Sequence, residues 1–221
     1  MDLFGYLANN PYPGRGIAVG KHDGRAVIAY FIMGRSANSR NRVFAREEDR
    51  LFTKAFDESK VQDPSLIIYN ALRKFEDLTI VTNGDQTDTV YDFLKEGKTF
   101  DDALATREYE PDCPNYTPRI SAITDCSGNA RFSILKRVNG ECDRTFWSYE
   151  GTDGKGRFIS TYDTDGEPLP SFSGEPVQFD IESGIDEFAD RLWQSLNKDN
   201  KVSLFVRFGD EERIYNKNCG D

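Results

Sequence analysis

The sequence predicts an α+β fold rich in antiparallel strands, and three observations carry that reading. Short apolar runs separated by turn signals dominate the chain. Helical spacing is confined to a few stretches. The elements also come in blocks (strands, two helices, a run of strands, one helix, two strands), without the strand–helix alternation of a doubly wound parallel sheet.

Each element has its own warrant. Ile17 to Val19 and Val27 to Met33 form a hairpin around Lys21-His22-Asp23-Gly24, where Asp-Gly is a strong turn pair. Leu78 to Thr82 is a third strand, ended by Asn83-Gly84. Thr87-Asp88 is expected to cap a helix from Thr89 to about Lys95. Thr99-Phe100-Asp101-Asp102 opens another, to about Arg107, with a hydroxyl at the cap and acids in the first turn. Four strands follow: Ile120 to Thr124, Arg131 to Arg137, Thr145 to Tyr149 and Arg157 to Thr161. The Pro-rich stretch from Glu167 to Pro176 reads as a loop within one domain covering residues 1–221. Ile185, Phe188, Ala189, Leu192, Trp193 and Leu196 fall at helical spacing and predict one amphipathic helix with a core-facing stripe. Val202 to Phe208 and Arg213 to Tyr215 close the chain as a strand pair.

Composition narrows the function classes. The 221 residues are 38% hydrophobic and 30% charged, enough for a core that needs no staples. No apolar run approaches the ~20 residues that span a bilayer, and the start lacks a secretory pattern. The four cysteines are widely spaced, so a cytoplasmic protein with free thiols is expected. The net charge of −10 argues against nucleic-acid and membrane partners. Yet residues 1–50 carry eight Lys/Arg against five Asp/Glu, whereas the remainder carries 20 against 33. Such a positive spot suits a small anion such as a phosphate monoester, although chance explains it as well.

Several chemistries are excluded. The single histidine, His22, sits in a predicted turn, so a Ser-His-Asp or Cys-His mechanism and a His/Cys zinc site are not expected. There is no GxxxxGK[ST] loop. Met1-Asp2 offers no amino-terminal Ser, Thr or Cys nucleophile. No metal site and no cofactor are predicted.

Three polar segments remain. Residues 34–42 hold Arg35, Ser36, Arg40 and Arg42, whose forked donors could grip a phosphate or simply form a solvated loop. Residues 82–88 join a strand to a helix and offer backbone N–H groups to a ligand, or serve only as a capped turn. Residues 109–119 carry three prolines, two tyrosines and four ionisable groups, a rigid segment suited to holding site groups.

Taken in order, "NPYPGRG", "AYFIMGRSANSRNRVF", "DPSLIIYNALR", "VTNGDQTD", "YEPDCPNYTPRIS" and "LNKDNKVSLFVRF" resemble the archaeal-type IMP cyclohydrolase family and its bacterial relatives, from about Asn10 to about Arg207. The resemblance implies a four-layer αββα sandwich of mainly antiparallel sheets, like that of the amino-terminal-nucleophile (Ntn) hydrolases but without self-cleavage. It implies the dehydrating ring closure of a formylated aminoimidazole carboxamide ribonucleotide to IMP, with no cofactor. Arg35, Tyr69, Asn83 and Glu110 match the positions expected around the reacting groups. Arg35 would stabilise an oxyanion, Tyr69 would donate a hydrogen bond or proton, Asn83 would orient the carboxamide, and Glu110 would act as acid or base. Arg15, Arg40 and Arg42 are phosphate and ribose candidates. Ser36, Asn70, Asp112, Asn115 and Arg119 complete the substrate-binding set. Relatives of this kind suggest a homo-oligomer. About ten residues precede the first motif, more than in archaeal members, and are expected to cover an edge or join an interface. Two other readings stay open: an amide-bond hydrolase with Cys113 as nucleophile, and a non-catalytic purine nucleotide-binding protein.

Overall fold

Strand β2 (Arg25–Met33) shows how this chain builds its core. Its run Ala-Val-Ile-Ala-Tyr-Phe-Ile-Met is apolar throughout because both faces are covered. Val27, Ala29, Phe31 and Met33 point into one core cluster. Ile28, Tyr30 and Ile32 point into another. The protein is described here from a computed structural model that defines residues 1–61 and 68–220; residues 63–67, part of the "DPSLIIYNALR" motif, lie outside them.

β2 pairs antiparallel with β1 (Arg15–His22), and Asp23 and Gly24, both at positive φ, make the tight turn between them. One six-stranded sheet adds β10 (Lys155–Ser160), β11 (Val177–Asp180), β12 (Lys201–Phe208) and β13 (Glu211–Asn216), in the order β11-β10-β1-β2-β12-β13. A seven-stranded sheet runs in sequence order through β3 (Arg42–Glu47), β4 (Arg50–Ala55), β5 (Asn70–Phe75), β6 (Leu78–Thr82), β7 (Arg119–Thr124), β8 (Ala130–Val138) and β9 (Glu141–Tyr149). Every ladder between these strands is antiparallel among the described residues.

The sheets face each other across Ile17, Ile28, Tyr30, Leu51, Leu72, Val81, Ile120 and Phe132, all shielded from solvent. Helices α1 (Leu3–Ala8) and α5 (Ile185–Ser195) cover the outer face of the six-stranded sheet through Leu3, Leu7, Phe188 and Leu192. Helices α3 (Gln86–Lys95) and α4 (Phe100–Ala105) cover the other sheet through Val90, Phe100 and Leu104 against Ile80 and Leu135. The layering is helix, sheet, sheet, helix.

The predicted elements are present, with shifted ends. α3 starts at Gln86, earlier than expected, because Thr87 is not its cap: the Thr87 hydroxyl bonds Thr82 Oγ1 at 2.7 Å. α4 ends at Ala105 and carries the expected cap, Thr99 and Asp102 bonding reciprocally. The residues ahead of the first motif form α1 and lie on a sheet face rather than an edge; Phe4 meets Phe188 edge-on at 5.6 Å. Strands β3, β4, β5 and β11 and the short helix α2 (Ala37–Arg40) were not predicted.

Candidate active site

A cleft of about 250 Å³ opens at the end of the sandwich where β1 begins. Its walls come from six places in the chain: Tyr12 and Arg15, residues 35–39, Arg42 at the start of β3, residues 110–117 before β7, Tyr162 after β10, and Leu169 in the Pro-rich loop. These segments meet because each abuts the same ends of the two sheets.

Arg42 forms the floor. It is completely buried, its Nε donates to Ser39 O at 2.8 Å, and neither Nη1 nor Nη2 has a hydrogen-bond partner among the described residues. Burial depresses its pKa, and the charge of Arg15 adds to the effect. Arg15 Nε is likewise enclosed and unpartnered. Burial works against the Arg15 charge, but Glu110, together with nearby tyrosines, outweighs it and raises the pKa above the usual arginine value. Glu110 is 6% exposed. Burial lifts its carboxyl above the ordinary carboxylate range, while Arg15, then Arg119, pull it back. The inner cleft therefore offers several unused N–H donors beside one buried carboxyl. That set fits a ligand end rich in acceptor oxygens.

The rim is built differently. Arg35 is exposed, bonds Asp165 Oδ1 at 2.7 Å and Gly166 O at 3.2 Å, and lies 5.1 Å above the Tyr12 ring. Tyr12 stacks on Tyr162 at 6.0 Å. Thr117 gives its hydroxyl proton to Asp112, so Tyr162 is the donor in its 2.7 Å contact with Thr117; burial pushes the Tyr162 pKa up to about 12. Asp112 also accepts from Thr117 N at 2.6 Å, which closes the turn that presents Asn115. Ser36 caps α2 through Ser39 N at 3.1 Å.

The cleft thus collects Arg15, Arg35, Ser36, Arg42, Glu110, Asp112 and Asn115 from the sequence-based set. Five others are not among its walls. Tyr69 is nearly buried behind Arg15 and Arg42, its hydroxyl 2.7 Å from that of Tyr30. Asn83 is fully occupied as a brace: Nδ2 donates to Pro118 O, and Oδ1 accepts from Ile120 N at 2.9 Å and Gln86 Nε2 at 3.0 Å. Arg119 spends its donors on Asp85, Gln86 and Glu108 O. Arg40 binds Gly34 O and Asn200. Asn70 donates to Asp88 under α3. Residue-level reading of the sequence missed Tyr12, Asn38, Ser39, Thr117, Tyr162 and Leu169. Four of these lie inside the quoted motifs, whereas Tyr162 and Leu169 carry no signal that separates them from ordinary core residues. Among the described residues no group of three or more His, Cys, Asp or Glu side chains is placed to hold a metal ion.

Comparison with known proteins gives this geometry a context. A model of the family described as IMP cyclohydrolase-like protein matches residues 12–213. The IMP cyclohydrolase of Methanosphaera stadtmanae is 27% identical over 156 residues, 69% of this chain and 74% of that protein. The Methanopyrus kandleri IMP cyclohydrolase is 34% identical over 156 residues, covering 68% and 75%. That of Methanothrix thermoacetophila is 29% identical over 163 residues, covering 72% and 78%. The matched span takes in every wall of the cleft, from Tyr12 to Leu169, and the chain belongs to the IMP cyclohydrolase-like protein family.

Proposed function

We propose that this protein is an IMP cyclohydrolase that closes the pyrimidine ring of a formylated aminoimidazole carboxamide ribonucleotide, releasing water. The observation that carries the reading is the fully buried Arg42 with the enclosed Nε of Arg15, whose unpartnered donors lie beside the carboxyl of Glu110. The sandwich with helices outside both sheets supports a kinship with the Ntn-hydrolase fold, and we take residues 1–221 as one unit working on purine biosynthesis in the cytoplasm.

The reaction asks little covalent chemistry of the protein. The carboxamide nitrogen bonds to the formyl carbon, and one of its protons reaches the formyl oxygen. The resulting hydroxyl then leaves as water with a proton that originates on the formamido nitrogen. Both partners sit on one ring, so holding them in a reactive pose supplies much of the acceleration; for well-oriented groups that effect reaches about 7–11 kcal/mol. Arg15 and Arg42 hold acceptor oxygens of the substrate. Arg35 meets the developing oxyanion from the rim once it leaves Asp165. Glu110, whose pKa burial raises, takes the proton from the attacking nitrogen and returns one to the departing hydroxyl. Tyr69, although not a wall of the cleft, is 7% exposed beside Arg15 and Arg42 and donates to a substrate oxygen that they draw in. Asn83 and Arg119 act from behind by fixing the segment that carries Glu110; a Cβ on Gly84 would stand 2.7 Å from Arg119 Nη1 and 3.4 Å from Glu110 Oε1, which leaves no room for drift. The geometry gives the amide-hydrolase reading no support, since Cys113 is exposed and is not among the cleft walls.

Purified protein mixed with the formylated substrate, without metal or folate, is expected to form IMP by absorbance and chromatography. Binding of IMP without turnover would instead identify a nucleotide-binding protein.

A further inference from the structure

Either hydroxyl of the Tyr30–Tyr69 pair could donate, and burial settles which one does. The two hydroxyl oxygens are 2.7 Å apart, so one proton lies between them and the other points elsewhere. Tyr30 is 0% exposed on the inner face of β2, with Phe44 5.5 Å from its ring. Among the described residues its hydroxyl has no other hydrogen-bond partner. Were Tyr69 the donor, the Tyr30 proton would be left without an acceptor, since the charged groups near it, Arg15 and Arg42, are donors only, an arrangement that folded proteins avoid. Tyr69 shares those neighbours but is 7% exposed where Tyr30 is 0%, so its proton has a way out of the core that the Tyr30 proton lacks. Those guanidiniums are donors only, so nothing they present can take the Tyr69 proton. Burial also keeps the Tyr30 hydroxyl protonated far above neutral pH.

We propose that Tyr30 is a positioning residue: it donates its proton to the Tyr69 oxygen and thereby leaves the Tyr69 proton for an oxygen of the ligand. Donation to Tyr69 polarises its hydroxyl and makes it a better donor in turn. Tyr69 is then fixed as donor toward the substrate, unavailable as a base, and Glu110 is the only proton acceptor of the pair. The inference rests on the cyclohydrolase reading for its kinetic consequences, but not for the direction of the hydrogen bond.

The test has two arms. In the kinetic arm, Tyr30→Phe removes one oxygen atom and keeps the ring. It is expected to lower kcat about 5–20-fold while KM and IMP affinity stay within about twofold; Tyr69→Phe lowers kcat about 100-fold. The double variant Tyr30→Phe/Tyr69→Phe matches Tyr69→Phe alone, because Tyr30 acts only through Tyr69. Losses that multiply would overturn the proposal, as would a Tyr30→Phe effect confined to KM or to thermal stability. In the second arm, NMR of tyrosine-labelled protein assigns the slowly exchanging hydroxyl proton by its coupling to a ring carbon. Coupling to Tyr30 supports the direction; coupling to Tyr69 reverses it and sinks the idea. If the unmodified protein forms no IMP, the cyclohydrolase reading fails, and the NMR arm alone decides the relay.

Discussion

Arg42 and Arg119 are both buried arginines at the same end of the sandwich, and they do opposite things. Arg119 is matched at Nε and Nη1, with Asp85 at 2.7 Å, Gln86 Oε1 at 2.6 Å and Glu108 O at 2.8 Å. Arg42 has one backbone acceptor and two nitrogens with none. A buried guanidinium with partners holds structure together. One without them is costly to bury and, on the proposed function, is kept for a ligand that would complete it. On the proposed function, Asn83 and Arg119 are therefore scaffold, and Arg15 and Arg42 are receptor. Glu110 stands at the boundary and feels both, with Arg15 and Arg119 the strongest opponents of its raised pKa.

The largest expected effect tests that boundary. Glu110→Gln keeps the shape but cannot exchange protons, so turnover should fall about 10²–10⁴-fold. IMP affinity, measured by calorimetry, should change far less. Retained turnover would remove Glu110 from the chemistry. The same group makes a stability prediction. Its folded pKa lies above its ordinary value, so the folded protein binds more protons than the unfolded chain in that interval. Its contribution is full below the ordinary carboxylate pKa and is lost as pH rises through the raised folded value. Melts across mildly acidic pH should show that decline in the parent protein and a flatter curve in Glu110→Gln.

Next in size is the contrast between the two arginines. Arg42→Met should weaken IMP binding about 10–100-fold, in line with the ~1.5–3 kcal/mol of a hydrogen bond to a charged group, yet leave the melting temperature unchanged or higher. Arg119→Met should do the reverse, costing about 2–3 kcal/mol of stability. That figure sits below the usual range for a broken buried pair because Asp85 is half exposed and also bonds Arg107. Equal destabilisation by both variants would erase the distinction between scaffold and receptor.

The sequence showed some of this plainly. Strands buried on both faces, such as β2 and β12, and the stripe of α5 were visible as apolar patterns because burial imposes them. β3, β4 and β5 were not: Arg42, Arg46, Arg50, Lys54 and Arg73 interrupt their apolar runs, and their register depends on partners far away in sequence. The cleft was legible as motifs but not as roles. Asn83 and Arg42 look alike in sequence, polar residues flanking a strand. Only the fold shows that Asn83 bonds to the backbone at Pro118 and Ile120 while Arg42 has donors left over. Tyr162 was beyond sequence reasoning, since one tyrosine among ten acquires its place only when β10 brings it beside Thr117.

The smallest effect concerns the rim. Arg35 is tied to Asp165 in an ion pair whose side chains are 37% and 41% exposed, so water already screens most of the attraction. Such pairs contribute about 0–1 kcal/mol. Asp165→Asn should therefore leave the melting temperature nearly untouched. It should also release Arg35 for the developing oxyanion and raise kcat by about two- to fivefold, with KM unchanged, because the competitor for Arg35 is lost and the gain falls on the transition state. A lowered kcat would mean that Asp165 holds Arg35 in its productive place, and that the rim, like the zone around Arg119, belongs to the scaffold.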